Sequence, residues 1–273
     1  MKLTIVDVFA ESLYAGNQLA VVEDIGQLDS ETMQDIAREM NFSETTFVIN
    51  RTDERARVRI FTPELELPFA GHPTLGTAWV LSGGEGTYTL DLDVGPVAVR
   101  FAEGLGWISP PAVTLQGTFA GDAAAALLGV ETTDLDTEFP IRFAEVGPKF
   151  VLIGLKNLAA LKAAKVNETL YDKYLADGFD LQCVFVFTSD SYSADSDFAA
   201  RMFFRSPGLR EDPATGSANS AFAAYLKDLR GGEFEVVVDQ GVEIKRPSRL
   251  YLKVGESIEV GGRVQEVLRG ELT

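Results

Sequence analysis

The sequence of 273 residues is poor in groups that bind metals or nucleic acids. It contains one cysteine, one histidine and 24 basic side chains against 41 acidic ones, which gives a formal net charge of −17 at pH 7. One cysteine excludes an internal disulfide, and one cysteine with one histidine cannot form a Cys/His zinc site. No run of Lys or Arg locally reverses the negative charge, which would repel nucleic acid phosphates. We therefore expect no bound metal and no nucleic acid partner.

Long apolar runs are also absent. The longest stretches, such as residues 183–187, are far shorter than the roughly 20 residues of a membrane-spanning helix. No cationic leader precedes the first predicted strand, so secretion is not indicated. With 46% hydrophobic and 24% charged residues, the composition is that of a globular protein. These features predict a cytoplasmic protein whose partner is a small molecule or a second copy of the chain, and not a membrane.

An internal repeat is the main organisational signal. The segment from Arg59 to the pair Gly83-Gly84 resembles the segment from Arg201 to Gly231-Gly232, with an offset of 142 for the arginines and 140 for the pair His72 and Asp212. Upstream, residues 30–40 match 167–178 as helices, and 43–49 match 181–187 as strands. The repeat predicts two units. We place them at residues 1–115 and 116–273, with the final strand free to pack back on the first unit.

Each unit is predicted to be several strands around one helix. The strands follow from segments rich in Val, Ile, Phe and Thr that are separated by Gly, Pro, Asn and Asp. Residues 30–40 have apolar side chains at helical spacing behind a candidate N-cap, Ser30, and predict an outer amphipathic helix. The helices predicted to open at Pro73 and Pro213 are small or apolar nearly all round, which is typical of a buried, central helix. Gly pairs end both of them.

Two buried helix N-termini suggest an anion site, because the unpaired N–H groups and the helix dipole favour negative charge. If the repeats are related by pseudo-twofold symmetry, the two starts face each other and a small anionic substrate binds there. Asp212 taken singly is more readily explained as the N-cap of its helix. Its repeat partner by this alignment is His72, a poor N-cap, and the pair favours a functional interpretation.

His72 and Glu44 are the candidate catalytic groups. His72 lies at a helix start, where the dipole lowers the pKa of the ring and favours a neutral imidazole. Glu44 lies at the entrance to a strand and is aligned with Gln182, an isostere that cannot exchange protons. A carboxylate buried beside a helix dipole can act as a general base. The alternatives are a structural histidine and a solvent-exposed or capping glutamate.

Other catalytic motifs are weak or absent. The segment GGEGTY lacks the Lys-Ser/Thr of a P-loop, and no GxGxxG follows a strand. Cys183 lies in the middle of a predicted strand and is interpreted as a core thiol. A Ser-His-Asp triad has no supporting motif.

Four segments together resemble the PhzF-like family of phenazine-biosynthesis isomerases: VDVFAESLYAGNQLAVV, NFSETTFV, FTPELELPFAGHPTLGTAW and EDPATGSANSA. The match is ordered and runs from about residue 5 to 225. It implies an α+β, diaminopimelate-epimerase-like fold, with two pseudosymmetric domains, each a mixed sheet around a central helix, and a site in the cleft between them. The epimerases of that superfamily carry a cysteine at the start of each central helix. His72 and Asp212 stand there in our alignment, so two-thiol racemisation is not expected.

The resemblance also implies roles for individual residues. Glu44 matches the group that removes a proton from one substrate carbon and returns it to another, and His72 and Asp212 match groups that assist protonation and orient the substrate. Gly71, Gly216 and Ser217 match the substrate-binding positions. The family is free of cofactors and often dimeric. One departure is Gln18, where the family usually has proline, and this residue bears on the identity of the substrate.

We therefore predict a cofactor-free, homodimeric isomerase that shifts a proton within a small carboxylate-bearing substrate. Isomerisation of trans-2,3-dihydro-3-hydroxyanthranilate is the known reaction of the family. Two alternatives stay open at this point: an epimerase or racemase that acts on a small acid, and a non-catalytic small-ligand binding protein that retains the cleft.

Overall fold

The computed structural model describes residues 1–177, 182–205 and 208–273, which form two compact units. The first contains Met1–Ser109 and Glu259–Thr273, and the second contains Pro110–Ile258. The last strand lies in the first unit because it pairs antiparallel with the first strand along the whole of Lys2–Val8. The repeat predicts a boundary at residue 115, whereas the contacts divide the chain after Ser109. Gly178 and Leu181, at the edges of the predicted 167–178 helix and 181–187 strand, lie outside the described residues.

The first unit contains ten strands, of which eight precede residue 109 and two lie at the C-terminal end of the chain. Its strands are β1 (Lys2–Val8), β2 (Asn17–Glu23), β3 (Glu44–Arg51), β4 (Arg55–Phe61), β5 (Glu66–Leu67), β6 (Thr87–Leu92), β7 (Gly95–Ala102), β8 (Leu105–Ile108), β17 (Ile258–Gly262, from Glu259 on) and β18 (Val264–Glu271). Its helices are α1 (Ser30–Met40) and α2 (Gly71–Ser82).

The second unit has more helix. Its strands are β9 (Thr114–Leu115), β10 (Arg142–Glu145), β11 (Lys149–Gly154), β12 (Cys183–Thr188), β13 (Phe198–Arg205), β14 (Leu209–Asp212), β15 (Phe234–Gln240) and β16 (Ser248–Val254). Its helices are α3 (Gly121–Leu128), α4 (Leu158–Ala163), α5 (Glu168–Ala176) and α6 (Gly216–Arg230), with a 3-10 turn at Thr132–Asp134.

Helix α2 is the centre of the first unit. Its first eight residues are all buried, and strands β1, β2, β3, β6, β7 and β8 contact it. This is the environment expected for a helix without a polar face. Helix α1 lies on the other side of the strands, where Met33 and Ala37 pack with Phe47 and Phe61. Its N-cap is Asp29, whose side chain accepts from the Thr32 N–H, and not the predicted Ser30.

Helix α6 has the same place in the second unit. The ring of Phe222 contacts the rings of Phe185, Phe187 and Phe198 on β12 and β13. Helices α3, α4 and α5 pack on the opposite face of these strands, against Val184 and Val186. Alternate residues of β12 therefore face the central helix and the outer helices, as the two-residue period of a strand requires.

The two units share one topology. In the first, β2 and β3 are parallel with α1 between them, and β3 then pairs antiparallel with β4, which is parallel to β6. In the second, β11 and β12 are parallel with α4 and α5 between them, and β12 pairs antiparallel with β13, which is parallel to β15. The predicted α+β architecture, a mixed sheet around a central helix in each repeat, is confirmed.

An ion pair that occurs in both units shows which positions of the two repeats correspond. Arg59 pairs with Glu66 at 2.6 Å and Arg201 pairs with Glu211 at 2.7 Å, each across an antiparallel hairpin. The offset is 142 for the arginines and 145 for the glutamates, because the second hairpin is three residues longer. The same offset of 145 then relates the first residues of α2 and α6, Gly71 and Gly216.

This register corrects two alignments made from the sequence. Asp212 lies opposite Met202, as Leu67 lies opposite Ile60, so Asp212 corresponds to Leu67. By the helix starts, His72 corresponds to Ser217. Upstream, Thr46 lies opposite Ile60 and Phe185 opposite Met202, which aligns Glu44 with Cys183 and not with Gln182. A slip of one residue moves a side chain to the other face of a strand, and only the strand register shows it.

Neither central helix begins at its predicted proline. Helix α2 begins before Pro73, and helix α6 begins after Pro213. Helix α2 begins at Gly71 with Ala70 as N-cap, so Pro73 is its third residue. Helix α6 begins at Gly216 with Thr215 as N-cap. Asp212 therefore ends β14 and is not the N-cap of α6. Both helices stop where predicted, at Gly83 and Gly231. No helix in the described ranges is long and apolar enough to cross a membrane.

The paired arginines give a stability test with an internal control. Arg201 and Glu211 side chains are each 9% exposed, whereas Arg59 and Glu66 are 22% and 31% exposed. Arg201 also donates to the carbonyls of Leu161 and Ala164. We expect Arg201→Met to lower the free energy of unfolding by about 3–5 kcal/mol, because it leaves a buried carboxylate unpaired. Arg59→Met should cost about 1 kcal/mol. Urea unfolding measures both, and equal losses would contradict the argument.

Candidate active site

Glu44 begins β3 and faces the start of the central helix α2. It lies beside Leu19 of the parallel strand β2. Two residues further on, the hydroxyl of Thr46 lies 2.8 Å from that of Thr77 on α2, so this face of β3 packs on the helix. The Glu44 side chain is 15% exposed. A carboxylate is therefore held largely out of water at the end of the helix where its charge is favoured.

His72 is the second residue of α2 and lies against Glu44. Its Nε2 is 3.4 Å from Glu44 Oε2, and its side chain is 6% exposed. On the other side of the ring, Nδ1 is 3.4 Å from Nδ2 of Asn17, which is buried. The structure thus brings together two of the predicted site residues and adds a third, Asn17, that the sequence analysis did not select.

The glycine that precedes Asn17 is the sequence feature that could have identified it. Gly16 has φ +67°, and a Cβ there would lie 2.4 Å from the carbonyl oxygen of Val8. Only glycine fits this turn, which leads directly into Asn17 at the start of β2. In the sequence, the GNQ segment contributes only to the family resemblance. Gln18 follows within β2 and is half-buried.

Burial sets the charge of the imidazole. Desolvation lowers the pKa of His72 from 6.5 to about 3, and a backbone hydrogen bond to Gln18 opposes this shift only in part. The ring is therefore neutral at neutral pH, as the sequence predicted, although removal from water and not the helix dipole is the main cause. A neutral ring has one N–H to donate and one nitrogen to accept a proton.

The N-terminus of α2 is not capped by a side chain. Ala70 is the N-cap and makes no side-chain hydrogen bond, and no acidic residue lies in the first turn. Gly71, the first helical residue, is buried. The backbone N–H groups of this turn are thus presented next to His72, where they can receive an anionic atom.

In the second unit the corresponding region is built around Asp212. Asp212 is 7% exposed, and its Oδ2 accepts a hydrogen bond from the hydroxyl of Thr215. Thr215 is the N-cap of α6 and makes no side-chain hydrogen bond to this helix. Gly216 and the half-buried Ser217 are its first two residues. The predicted substrate-binding positions of this unit are therefore adjacent in space to Asp212.

Cys183 occupies the position in the second unit that Glu44 has in the first. Burial, and to a smaller extent the charge of Asp212, raises the pKa of its thiol to about 12. A neutral thiol cannot act as a base or a nucleophile at neutral pH. Gln182, by contrast, is exposed, and its Oε1 accepts from the Lys149 N–H. Within the described part of the chain, no three His, Cys, Asp or Glu side chains are grouped to hold a metal ion.

Comparison with known proteins gives consistent results. The sequence profile of the PhzC-PhzF family, described as phenazine biosynthesis-like protein, matches residues 6–270. A trans-2,3-dihydro-3-hydroxyanthranilate isomerase of Pseudomonas aeruginosa is 37% identical, covering 96% of this chain and 95% of its own. An uncharacterized isomerase of Mesorhizobium japonicum is 33% identical, covering 97% and 96%.

Solved structures agree in fold. A Bacillus anthracis phenazine biosynthesis protein of the PhzF family has a TM-score of 0.90 at 24% identity, covering 100% of this chain and 99% of its own. A predicted epimerase of Pseudomonas aeruginosa has a TM-score of 0.84 at 33% identity, covering 99% and 98%. A probable proline racemase of Agrobacterium radiobacter, at 13% identity and a TM-score of 0.65 over 100% and 92%, shares the fold alone.

The fold and the relatives define an isomerase with a diaminopimelate-epimerase-like fold. The chain belongs to the phenazine biosynthesis-like, or PhzC-PhzF, family. The resemblance drawn from the sequence motifs and the prediction of an isomerase are both confirmed.

The sole histidine allows a direct test of its charge state. The folded-state pKa of His72 is about 3 and the unfolded value about 6.5, so between these values the unfolded chain binds the extra proton. Stability should therefore fall as the pH drops through this window. Between about pH 7.5 and 5.5 the contribution lost is about 1.4 kcal/mol.

His72→Gln removes this contribution and leaves the titration of the carboxylates in place. The unfolding free energy of the parent minus that of the variant should therefore fall by about 1.4 kcal/mol as the pH drops from about 7.5 to 5.5. Urea unfolding at both pH values measures this change. A difference that does not change with pH would mean that His72 titrates in the folded protein as it does in the unfolded chain.

Proposed function

We propose that this isomerase shifts a proton within a small carboxylate-bearing substrate, with Glu44 as the base. The observation that carries the proposal is the Glu44 carboxylate, 15% exposed, 3.4 Å from a neutral imidazole at an uncapped helix start. A base in such a site is sheltered from water, and the developing negative charge on the substrate meets the N–H groups of the helix.

The reaction follows from these groups. Glu44 takes a proton from one substrate carbon. The electron pair of that C–H bond forms a new double bond to the adjoining carbon, and the pair of the original double bond moves to the far carbon. The protonated Glu44 then returns the proton to the carbon at the far end of that system, so no proton is gained or lost. His72, being neutral, stays close to Glu44 and assists protonation or orients the substrate. Asn17 restrains the imidazole from its other side.

The substrate carboxylate is proposed to bind at backbone N–H groups of the helix starts. Gly216 and Ser217 open α6, and Gly71 opens α2, in both cases without a side-chain cap. Asp212 is proposed to act as a second acid-base or orienting group in the same reaction. Its buried carboxylate and its bond to Thr215 support this role.

The first substrate to test is trans-2,3-dihydro-3-hydroxyanthranilate, the compound named for the Pseudomonas aeruginosa relative. A homodimer and a cytoplasmic location belong to the same proposal. The dimer rests on the family resemblance, and the location rests on the single cysteine in the sequence. Sedimentation of the purified protein tests the dimer. The half-buried Gln18, next to Asn17 in β2, is the position at which we expect a different substrate preference to arise.

A second candidate function is epimerisation, which the neighbour described as a predicted epimerase favours. Turnover in deuterium oxide separates the two reactions. An isomerase incorporates the label at the accepting carbon, or transfers the original proton to it, whereas an epimerase incorporates it at the starting carbon. A binding protein without activity incorporates none.

The Glu44→Gln variant tests the base. Glutamine keeps the size and hydrogen-bonding capacity of the side chain but cannot exchange a proton. We expect turnover to fall by about 10² to 10⁴, with folding and substrate affinity largely preserved. Steady-state kinetics and thermal unfolding measure these effects, and Glu39→Gln, on the exposed face of α1, is the matched control. Undiminished turnover would remove Glu44 from the mechanism.

The Asp212→Asn variant tests the carboxylate of the second unit. Asparagine retains an oxygen that accepts from Thr215 but loses the ionisable group. We expect a melting temperature near that of the parent and a kcat lower by at least about tenfold. Asp195→Asn, at an exposed turn, is the control. A variant as fast as the parent would restrict Asp212 to a structural role and leave the chemistry to Glu44 and His72.

A further inference from the structure

A fully buried amide, Gln240, lies behind Asp212. It is the last residue of β15 and is 0% exposed. Its Nε2 donates to the backbone carbonyl of Asp212 at 2.9 Å and to Oγ1 of Thr215 at 3.2 Å. Its Oε1 accepts from Nδ2 of Asn219 at 3.0 Å and from the Thr215 N–H at 3.4 Å. One side chain thus holds the end of β14 and the start of α6 together.

The directions of these hydrogen bonds are determined by their partners. The carbonyl of Asp212 can only accept, so the nitrogen of the Gln240 amide must face it. That nitrogen can only donate, so the Thr215 hydroxyl must accept from it. The proton of the hydroxyl is then free to point to Asp212 Oδ2, which is the bond observed. Gln240 therefore fixes the Thr215 hydroxyl in the orientation that donates to the Asp212 carboxylate.

The first unit shows that the fold does not need an amide at this position. Leu90 of β6 lies opposite Ala56 of β4, and Val238 of β15 lies opposite Phe198 of β13. Ala56 and Phe198 are related by the offset of 142, so Leu92 corresponds to Gln240. Leu92 is also buried, at 4% exposure. The first unit has no carboxylate to hold there either, because Leu67 takes the place of Asp212. The second unit thus has both the amide and the carboxylate, whereas the first unit has leucine at both corresponding positions.

The next residue adds a second restraint on the same segment. Gly241 has φ +74°, and a Cβ there would lie 2.5 Å from the carbonyl oxygen of Pro213. The backbone after Gln240 therefore lies directly against the backbone after Asp212. Residues 240 and 241 together define where the 212–215 segment sits.

We propose that Gln240 is a positioning residue of the isomerase, which acts through Thr215 to hold the Asp212 carboxylate in its reactive orientation. This inference rests on the proposed role of Asp212. A purely structural amide would affect stability when replaced, whereas a positioning amide affects turnover, because small displacements of a reacting group are costly in rate.

The test uses Gln240→Leu, which installs the residue that the first unit carries, and the pair Thr215→Val and Thr215→Ser. Valine removes the hydroxyl at nearly constant shape, and serine retains it. We expect Gln240→Leu and Thr215→Val to lower kcat by about tenfold or more with KM changed by less than about threefold. Thr215→Ser should keep most of the parent kcat. In the Asp212→Asn background, Gln240→Leu should have little further effect on kcat.

A crystal structure of Gln240→Leu supplies a readout that needs no substrate. We expect the Thr215 hydroxyl to lose its contact with Asp212 while the backbone of α6 stays in place. If the parent turns over no candidate substrate, the proposed function fails, and this structure still decides whether Gln240 orients Asp212. An unchanged Thr215–Asp212 contact, or an unchanged kcat in Gln240→Leu, would overturn the proposal, as would losses in Thr215→Ser equal to those in Thr215→Val.

Discussion

The burial of one helix within each unit is the constraint on which the rest of the structure depends. A helix that is apolar on all sides has to be surrounded by strands, and its first turn then ends inside the unit instead of in water. The N–H groups of that turn need partners, and neither α2 nor α6 provides one from its N-cap side chain. Negative charge is favoured at a buried helix start whose N-cap residue makes no side-chain hydrogen bond.

The same burial determines the chemistry of the groups at these starts. At His72, loss of water outweighs the other influences and keeps the imidazole neutral beside the Glu44 carboxylate. At Cys183, it keeps the thiol protonated. Equivalent positions of the two repeats, Glu44 and Cys183, thus hold an acid that can exchange protons and a thiol that does not at neutral pH. The two repeats thus differ in the chemistry of this side chain on a scaffold that they share.

The second unit differs from the first through its polar network. Where the first unit has Leu67 and Leu92, the second has Asp212 and Gln240, and these two are joined through Thr215. Buried polar groups are tolerated when their hydrogen bonds are made, and such networks restrict a side chain to one orientation. The divergence of the repeats is therefore a replacement of apolar contacts by directional ones near the start of α6.

The sequence by itself determined the local elements and the chemical types of the candidate site residues. Apolar periodicity predicted α1, the composition of the 71–82 segment predicted a central helix, and the motifs around Glu44 and His72 indicated the family. It could not determine the equivalence of positions between the repeats. A hairpin longer by three residues moved Asp212 from the place of His72 to that of Leu67, and strand register moved the partner of Glu44 from Gln182 to Cys183. Asn17 and Gln240 were also decided only by the tertiary structure, because hydrogen bonds between residues 55 and 28 positions apart in the chain have no local pattern in the sequence.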